Sequence, residues 1–145
     1  MKGEVKEYLS QARYLDMRIN SKIQQMTSLN DLATKCTTAL SGMPGSPSKN
    51  TSSMEEIICK IIDLQVEINN DIDMLVDLKG EIMQIIKSVS NPEYQTILEK
   101  RYLCFLSWEQ ISVDMHYSMQ YTFKMHDKAL TEVEALLAEV ESKVD

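Results

Sequence analysis

Few residues in this chain have the type and spacing to do bond-making chemistry. His116 and His126 stand ten positions apart, with no cysteine or carboxylate cluster at ligand spacing near both. They read as a turn histidine and a helix-surface histidine, not as metal ligands. Cys104 lies near His116, but nothing beside it would activate the thiol or orient a base, so no nucleophilic pair is expected. Asp63, Glu67, Asp71, Asp73, Asp77 and Glu81 invite a di-metal reading, but they fall mostly off the apolar stripe and lack a Glu-x-x-His partner. A solvated helix face is the expectation for all six. The four glycines, Gly3, Gly42, Gly45 and Gly80, form no phosphate-cradling loop. No catalytic residue, metal or cofactor is therefore expected, and the protein is read as a non-enzyme.

The chemistry that remains is recognition by a helix face. From Ser118 onward, Met119, Gln120, Tyr121, Lys124 and Lys128 fall on outward or flanking positions of a helix. A helix start of this kind fits the major groove of duplex DNA. Gln120 can pair bidentately with adenine, Lys124 and Lys128 can meet phosphate or guanine, and Met119 or Tyr121 can touch a thymine methyl. The helix starts at Ser107 and Ser118 present free amides suited to a phosphate, and Lys100 and Arg101 are placed beside the backbone. The same spacing also describes a purely structural three-helix cap, so spacing alone leaves both open.

Three short-to-medium helices would hold that face. Asn91-Pro92 starts the first, with Pro92 where its missing amide costs nothing and Glu93 at the positive end. Ser107 caps the second, with Gln110 three residues on, and Trp108, Ile111, Ser112 and Met115 make its buried side. His116-Tyr117 supplies the turn and Ser118 caps the third. Its inward stripe is Thr122, Met125, Ala129, Val133 and Leu136, assisted by Leu130 and Leu137. Tyr121 and Phe123 either cover the neighbouring helix or meet DNA.

Two long amphipathic segments precede this unit. Val5, Ala12, Ile19, Met26, Ala33 and Leu40 recur every seven residues, with Tyr8, Leu15, Leu29 and Cys36 three places after them. Lys22 interrupts the second set, where Ile23 is expected to keep the stripe continuous. Residues 41–53, SGMPGSPSKNTSS, read as a loop, closed by a capping box between Ser53 and Glu56. From Met54 to Val89, Ile58, Gln65, Ile72, Lys79 and Ile86 form one heptad position, and Ile61, Ile68, Leu75, Ile82 and Val89 the other. Ile57, Leu64, Leu78 and Ile85 widen the stripe beyond one seam, which suggests packing against the first helix and against a second subunit. The expected fold is all-α: a long antiparallel, coiled-coil-like hairpin over 1–90, then a compact helix-turn-helix domain over 91–145. A homodimer through the long helices is expected.

Composition agrees with a helical chain and limits its partners. In 145 residues there are only 4 Gly and 3 Pro, against 10 Met and 43% hydrophobic residues. No uncharged apolar run is long enough for a membrane span, and the N-terminus lacks a secretory pattern. The three cysteines, Cys36, Cys59 and Cys104, are widely spaced and read as thiols in a reducing compartment, so a cytoplasmic location is expected. Net charge is −7, distributed unevenly: residues 1–50 carry seven basic and four acidic side chains, 51–92 three and eight, 93–145 five and ten. Attraction to a phosphate backbone must then come from a local cluster, the N-terminal arm or two copies. The acidity of residues 93–145 and the broad stripe of 54–89 equally suit a protein-binding adaptor without DNA contact.

Ile97 to Leu130, ILEKRYLCFLSWEQISVDMHYSMQYTFKMHDKAL, resembles the DNA-binding fourth region of bacterial sigma factors and the related ArpU-like phage regulators. Arg101-Tyr102, Trp108-Glu109-Gln110-Ile111-Ser112, Met115-His116-Tyr117-Ser118 and Lys128-Ala129-Leu130 occupy the places of that family's motif. The resemblance covers the last third of the chain closely and the remainder in outline. It implies sequence-specific DNA recognition by the helix from Ser118 in phage or prophage transcription, with host RNA polymerase as a second expected partner. Three positions depart from the family pattern: Ser112 stands for a small Ala, His116 for the turn Gly, and Thr122 for a Val-like core residue. The helix from Ser118 also carries fewer basic residues than is usual there.

Overall fold

The computed structural model describes residues 2–42 and 48–144, with side-chain surroundings outside 39–51 and 143–144. All regular structure among the described residues is helical: α1 (Lys2–Gly42), α2 (Ser48–Lys87), α3 (Pro92–Leu98), α4 (Trp108–Met115) and α5 (Met119–Val144). A short π-helical segment, Glu99–Leu103, continues α3. The chain divides into two compact units, one of Met1–Leu15 with Leu75–Asp145, the other of Asp16–Met74.

In the first unit the core is built from both ends of the chain. Val5, Leu9 and Ala12 of α1, Ile82, Ile86 and Val89 at the end of α2, Leu98, Tyr102, and Ala129, Leu130 and Val133 of α5 form one buried cluster. Each fully buried aliphatic side chain of this kind contributes about 1.5–3 kcal/mol relative to exposure. The break between α2 and α3 is closed by side chains. Gln95 Nε2 donates to the Lys87 carbonyl at the end of α2 (3.2 Å) and to the Val89 carbonyl just beyond it (2.6 Å). Glu132 of α5 accepts from both the Ser90 amide and hydroxyl at 2.8 Å. Asn91 caps α3 by accepting from the Glu93 amide at 2.8 Å, with Pro92 at the first helical position. The sequence pattern there is met by the structure.

In the second unit Ile19, Met26, Leu29, Ala33 and Cys36 of the expected α1 seam are buried or half-buried as the heptad predicts, and Leu40 lies outside the residues whose side chains are described. There is one difference. Ile23 is exposed, and Lys22 itself takes the seam position. Its ammonium meets Asp71 Oδ2 at 2.6 Å, both side chains only 16% and 13% exposed. Asp71 is therefore a seam residue, not part of the solvated face assigned from the carboxylate run. In α2 the expected position of Ile61 and Ile68 and the widening side of Ile57 and Leu64 are met, but the other expected position is not. Ile57, Ile61, Leu64, Ile68 and Asp71 are the buried or half-buried positions, whereas Ile58, Gln65 and Ile72 are exposed. An acid at position 71 kept the inner stripe from reading as a seam, because its partner lies 49 residues away in sequence.

Both boundaries of the expected loop move, α1 running to Gly42. α2 begins at Ser48, so residues 48–53 are helical and Ser53 lies inside the helix, where it cannot act as its cap. Of the loop expected over 41–53, residues 43–47, with Pro44 and Pro47, lie outside the described residues.

Candidate nucleic-acid interface

α4 and α5 are joined by a short turn at His116 and Tyr117. Ser107, in extended conformation, caps α4 by accepting from the Gln110 amide at 3.2 Å. At the other end His116 adopts a left-handed conformation (φ 58°, ψ 38°). Its amide returns to the Val113 carbonyl at 3.3 Å, and the Tyr117 amide returns to Ser112 at 3.0 Å. This pair of bonds is the Schellman arrangement, which normally selects glycine at the left-handed position because a Cβ is strained there. The position where the family pattern has Gly is thus a place of real backbone demand. Ser118 then caps α5, its hydroxyl accepting from the Tyr121 amide at 3.1 Å.

The other two departures from the family pattern explain one another. Thr122 Oγ1 lies 2.9 Å from the Ser118 carbonyl, to which it donates, and 2.8 Å from Ser112 Oγ. With the Thr122 proton on Ser118, Ser112 is the donor between the two hydroxyls. Ser112 Oγ also lies 3.1 Å from Met119 Sδ. Both hydroxyl residues are buried, and each removes the other's desolvation penalty.

Behind α5 lies an aromatic brace that the sequence did not reveal. His126 is buried, not on the helix surface as expected, and its Nε2 is 2.6 Å from the Tyr102 hydroxyl. Its ring stacks on Tyr102 (5.7 Å between centroids) and meets Trp108 edge-on at 4.5 Å. Burial, then the positive charges of Lys6 and Arg101, push the imidazole down from 6.5 to about 4, with Asp127 opposing. Burial likewise pushes Tyr102 up to about 12. At neutral pH the contact joins two neutral groups, and either ring tautomer satisfies it. Trp108 is half-buried, as a core aromatic at a helix start, and Phe123 leans on it edge-on at 5.3 Å. A signal for His126 did exist: it stands four residues after Thr122 and four before Leu130, inside the apolar stripe of α5.

Of the residues expected to touch DNA, one group shares an open face. Gln120, Tyr121, Lys124 and Lys128 are all exposed on α5, following Ser118, which is exposed at the helix start. Tyr121 is steadied by an edge-on contact with Tyr117 (4.7 Å), whose hydroxyl donates to Glu93 at 2.9 Å. Asp127, the acid on this stretch, pairs with Lys2 at 3.0 Å. Met119 is half-buried against Ser112. Ser107 is exposed at the start of α4. Lys100 and Arg101 are committed elsewhere: Lys100 reaches Asp114 at 3.5 Å, while Arg101 donates to the Leu106 carbonyl at 2.9 Å and lies 4.4 Å over the Trp108 ring. Arg101 holds the α3–α4 connection in place.

Among the described residues, no group of three or more His, Cys, Asp or Glu side chains is placed to hold a metal ion. No helix among them is long and apolar enough to cross a membrane. Compared with family models, curated proteins and solved structures, the chain matches none.

Proposed function

We propose that the chain binds double-stranded DNA sequence-specifically and regulates transcription in a phage or prophage setting. Under this proposal α3, α4 and α5 act as a helix-turn-helix domain, and the long helices form an antiparallel hairpin that carries it. The observation that carries the proposal is the open face of Gln120, Tyr121, Lys124 and Lys128 on a helix braced from behind by α4. A major groove admits one helix, and a helix can enter only if its polar side is free while its apolar side is held. That division holds here: Thr122, Met125, His126 and Ala129 are buried while the polar face is in solvent.

Electrostatics bears on strength. With Asp127 paired to Lys2, Lys124 and Lys128 give the face a local positive character within an acidic segment. Two lysines supply few phosphate contacts, so the electrostatic contribution is small and affinity falls only shallowly as salt rises. Host RNA polymerase is the second partner proposed, on the sequence resemblance alone. Titration of a duplex with the Lys124→Ala and Gln120→Ala proteins tests the assignment. The first weakens binding to every sequence, and the second relaxes base preference.

An adaptor that binds protein through this same surface is the second reading. The exposure of Val113, Tyr121 and Phe123, together with ten acidic side chains in residues 93–145, favours it. Such an adaptor shows no salt-dependent duplex binding.

A further inference from the structure

Within residues 16–74, α2 carries a second stripe beside the one that meets α1. Ile58, Ile62, Gln65, Asn69 and Ile72 follow one another at spacings of four and three, all exposed. The three isoleucines are 46%, 54% and 41% exposed, and no residue of the stripe is charged. Chains rarely leave branched aliphatic residues in register along a helix face in water, where charged side chains are the usual occupants. Scattered exposed apolar residues need no explanation; a heptad-spaced row does.

The order of residues in the row identifies what covers it. It is palindromic about Glu67: Gln65 and Asn69 lie two positions to either side, and Ile62 and Ile72 lie five. In the sequence the same mirror sets Val76 against Ile58, nine positions to either side. A face with this symmetry complements itself when a second copy runs antiparallel across a two-fold axis, which is the requirement of an isologous contact. Isoleucine then meets isoleucine at the flanks. At the centre the Gln65 amide meets the partner's Asn69 amide, and each amide both donates and accepts. Uncharged amides at single seam positions are the usual means of fixing register and oligomer state.

Charge selects the direction. Glu55 and Asp73 border the row on its outer side. A parallel pair would set each acid beside its own copy. The antiparallel pair moves the two Asp73 carboxylates roughly 18 Å apart along the axis, from the helical rise per residue. A heterologous partner would impose no mirror symmetry on the row.

We infer that a second copy of this chain docks antiparallel on the Ile58–Ile72 face of α2, with the two-fold axis at the level of Glu67 along the helix. This does not rest on DNA binding, and the two can fail separately.

Sedimentation equilibrium of the full chain tests it. The expected mass is twice 16.6 kDa, with Ile62→Glu and Ile72→Glu each giving a monomer of unchanged helicity and Ile62→Leu remaining dimeric. Both isoleucines are exposed within the chain, so these substitutions do not disturb its own core. Spin labels on the exposed Cys59, in a Cys36→Ser/Cys104→Ser background, set the direction. Antiparallel pairing about Glu67 separates the labelled backbones by roughly 24 Å along the axis, whereas parallel pairing leaves them level. A monomeric wild-type protein overturns the inference and leaves the row to a different partner. A dimer that survives Ile62→Glu, or labels that lie level, overturns it too.

Discussion

Acidification should loosen the first unit through one buried group, His126. An unfolded imidazole titrates at 6.5, whereas in the folded chain burial holds it down to about 4. Between those values the unfolded chain takes up a proton that the folded chain refuses. Stability contributed by the neutral imidazole is therefore fully present above the unfolded value and is lost as pH falls toward 4. Integrated from about pH 7.5 to about pH 5, the loss from this residue alone is about 2 kcal/mol. That is a substantial share of a typical domain's stability. Carboxylates titrate over part of the same range, so the comparison needs a variant that changes only this group. His126→Gln serves, because the amide can keep the hydrogen bond to Tyr102 and does not titrate. The assay is urea unfolding followed by the fluorescence of Trp108, the single tryptophan, whose ring lies 4.5 Å from the imidazole. The wild-type protein should lose about 2 kcal/mol more than the variant over this interval. Parallel losses in the two proteins would refute the claim that the imidazole is sealed in its neutral form.

Three further substitutions probe the positions that hold α5. His116→Gly should raise stability by about 0.5–1 kcal/mol, the relief of left-handed strain exceeding the added freedom of the unfolded chain; a lowered melting temperature would speak against the turn geometry. Ser112→Ala and Thr122→Val, alone and together, should show a coupling of about 0.5–1.5 kcal/mol in a double-mutant cycle. Strict additivity there would mean the two hydroxyls do not meet. In the other unit, Lys22→Met should cost roughly 2–3 kcal/mol by stranding Asp71, whereas Lys22→Met/Asp71→Leu should return close to wild type. Denaturant midpoints by circular dichroism read both, and equal losses in the two proteins would contradict a desolvated pair.

How far the chain could be read from its residues depended on whether the information was local. Caps and turns are local, and Asn91-Pro92, Ser107, His116-Tyr117 and Ser118 all stand where their chemistry places them. The α5 stripe from Thr122 to Val133 is a property of one helix and was legible for the same reason. What was missed depends on partners distant in sequence. Lys22 and Asp71 are both polar alone and become seam residues only as a pair, which left one of the two seam positions of α2 misread. His126 became a core residue through Tyr102, 24 positions earlier. The contacts of Arg101 with the Leu106 carbonyl and the Trp108 indole, five and seven positions on, are closer in sequence but arise only once the π segment and its connection have formed. Phe105 completes that connection with φ 60°, a conformation nothing in its side chain announces. Residues 48–53 show the opposite effect: their Ser and Thr content suggests a loop, yet they belong to α2.

Selection of duplexes from a randomised pool, followed by titration of the enriched sequence at several salt concentrations, tests the proposed activity most directly. The proposal predicts one enriched motif, binding that weakens steadily with salt, and a salt slope reduced by about 1 in Lys124→Ala. It also predicts that Gln120→Ala loses discrimination at one base position while still binding. An unenriched pool, or folded variants that both bind as the wild-type protein does, would show that the open face of α5 is not a surface for reading DNA.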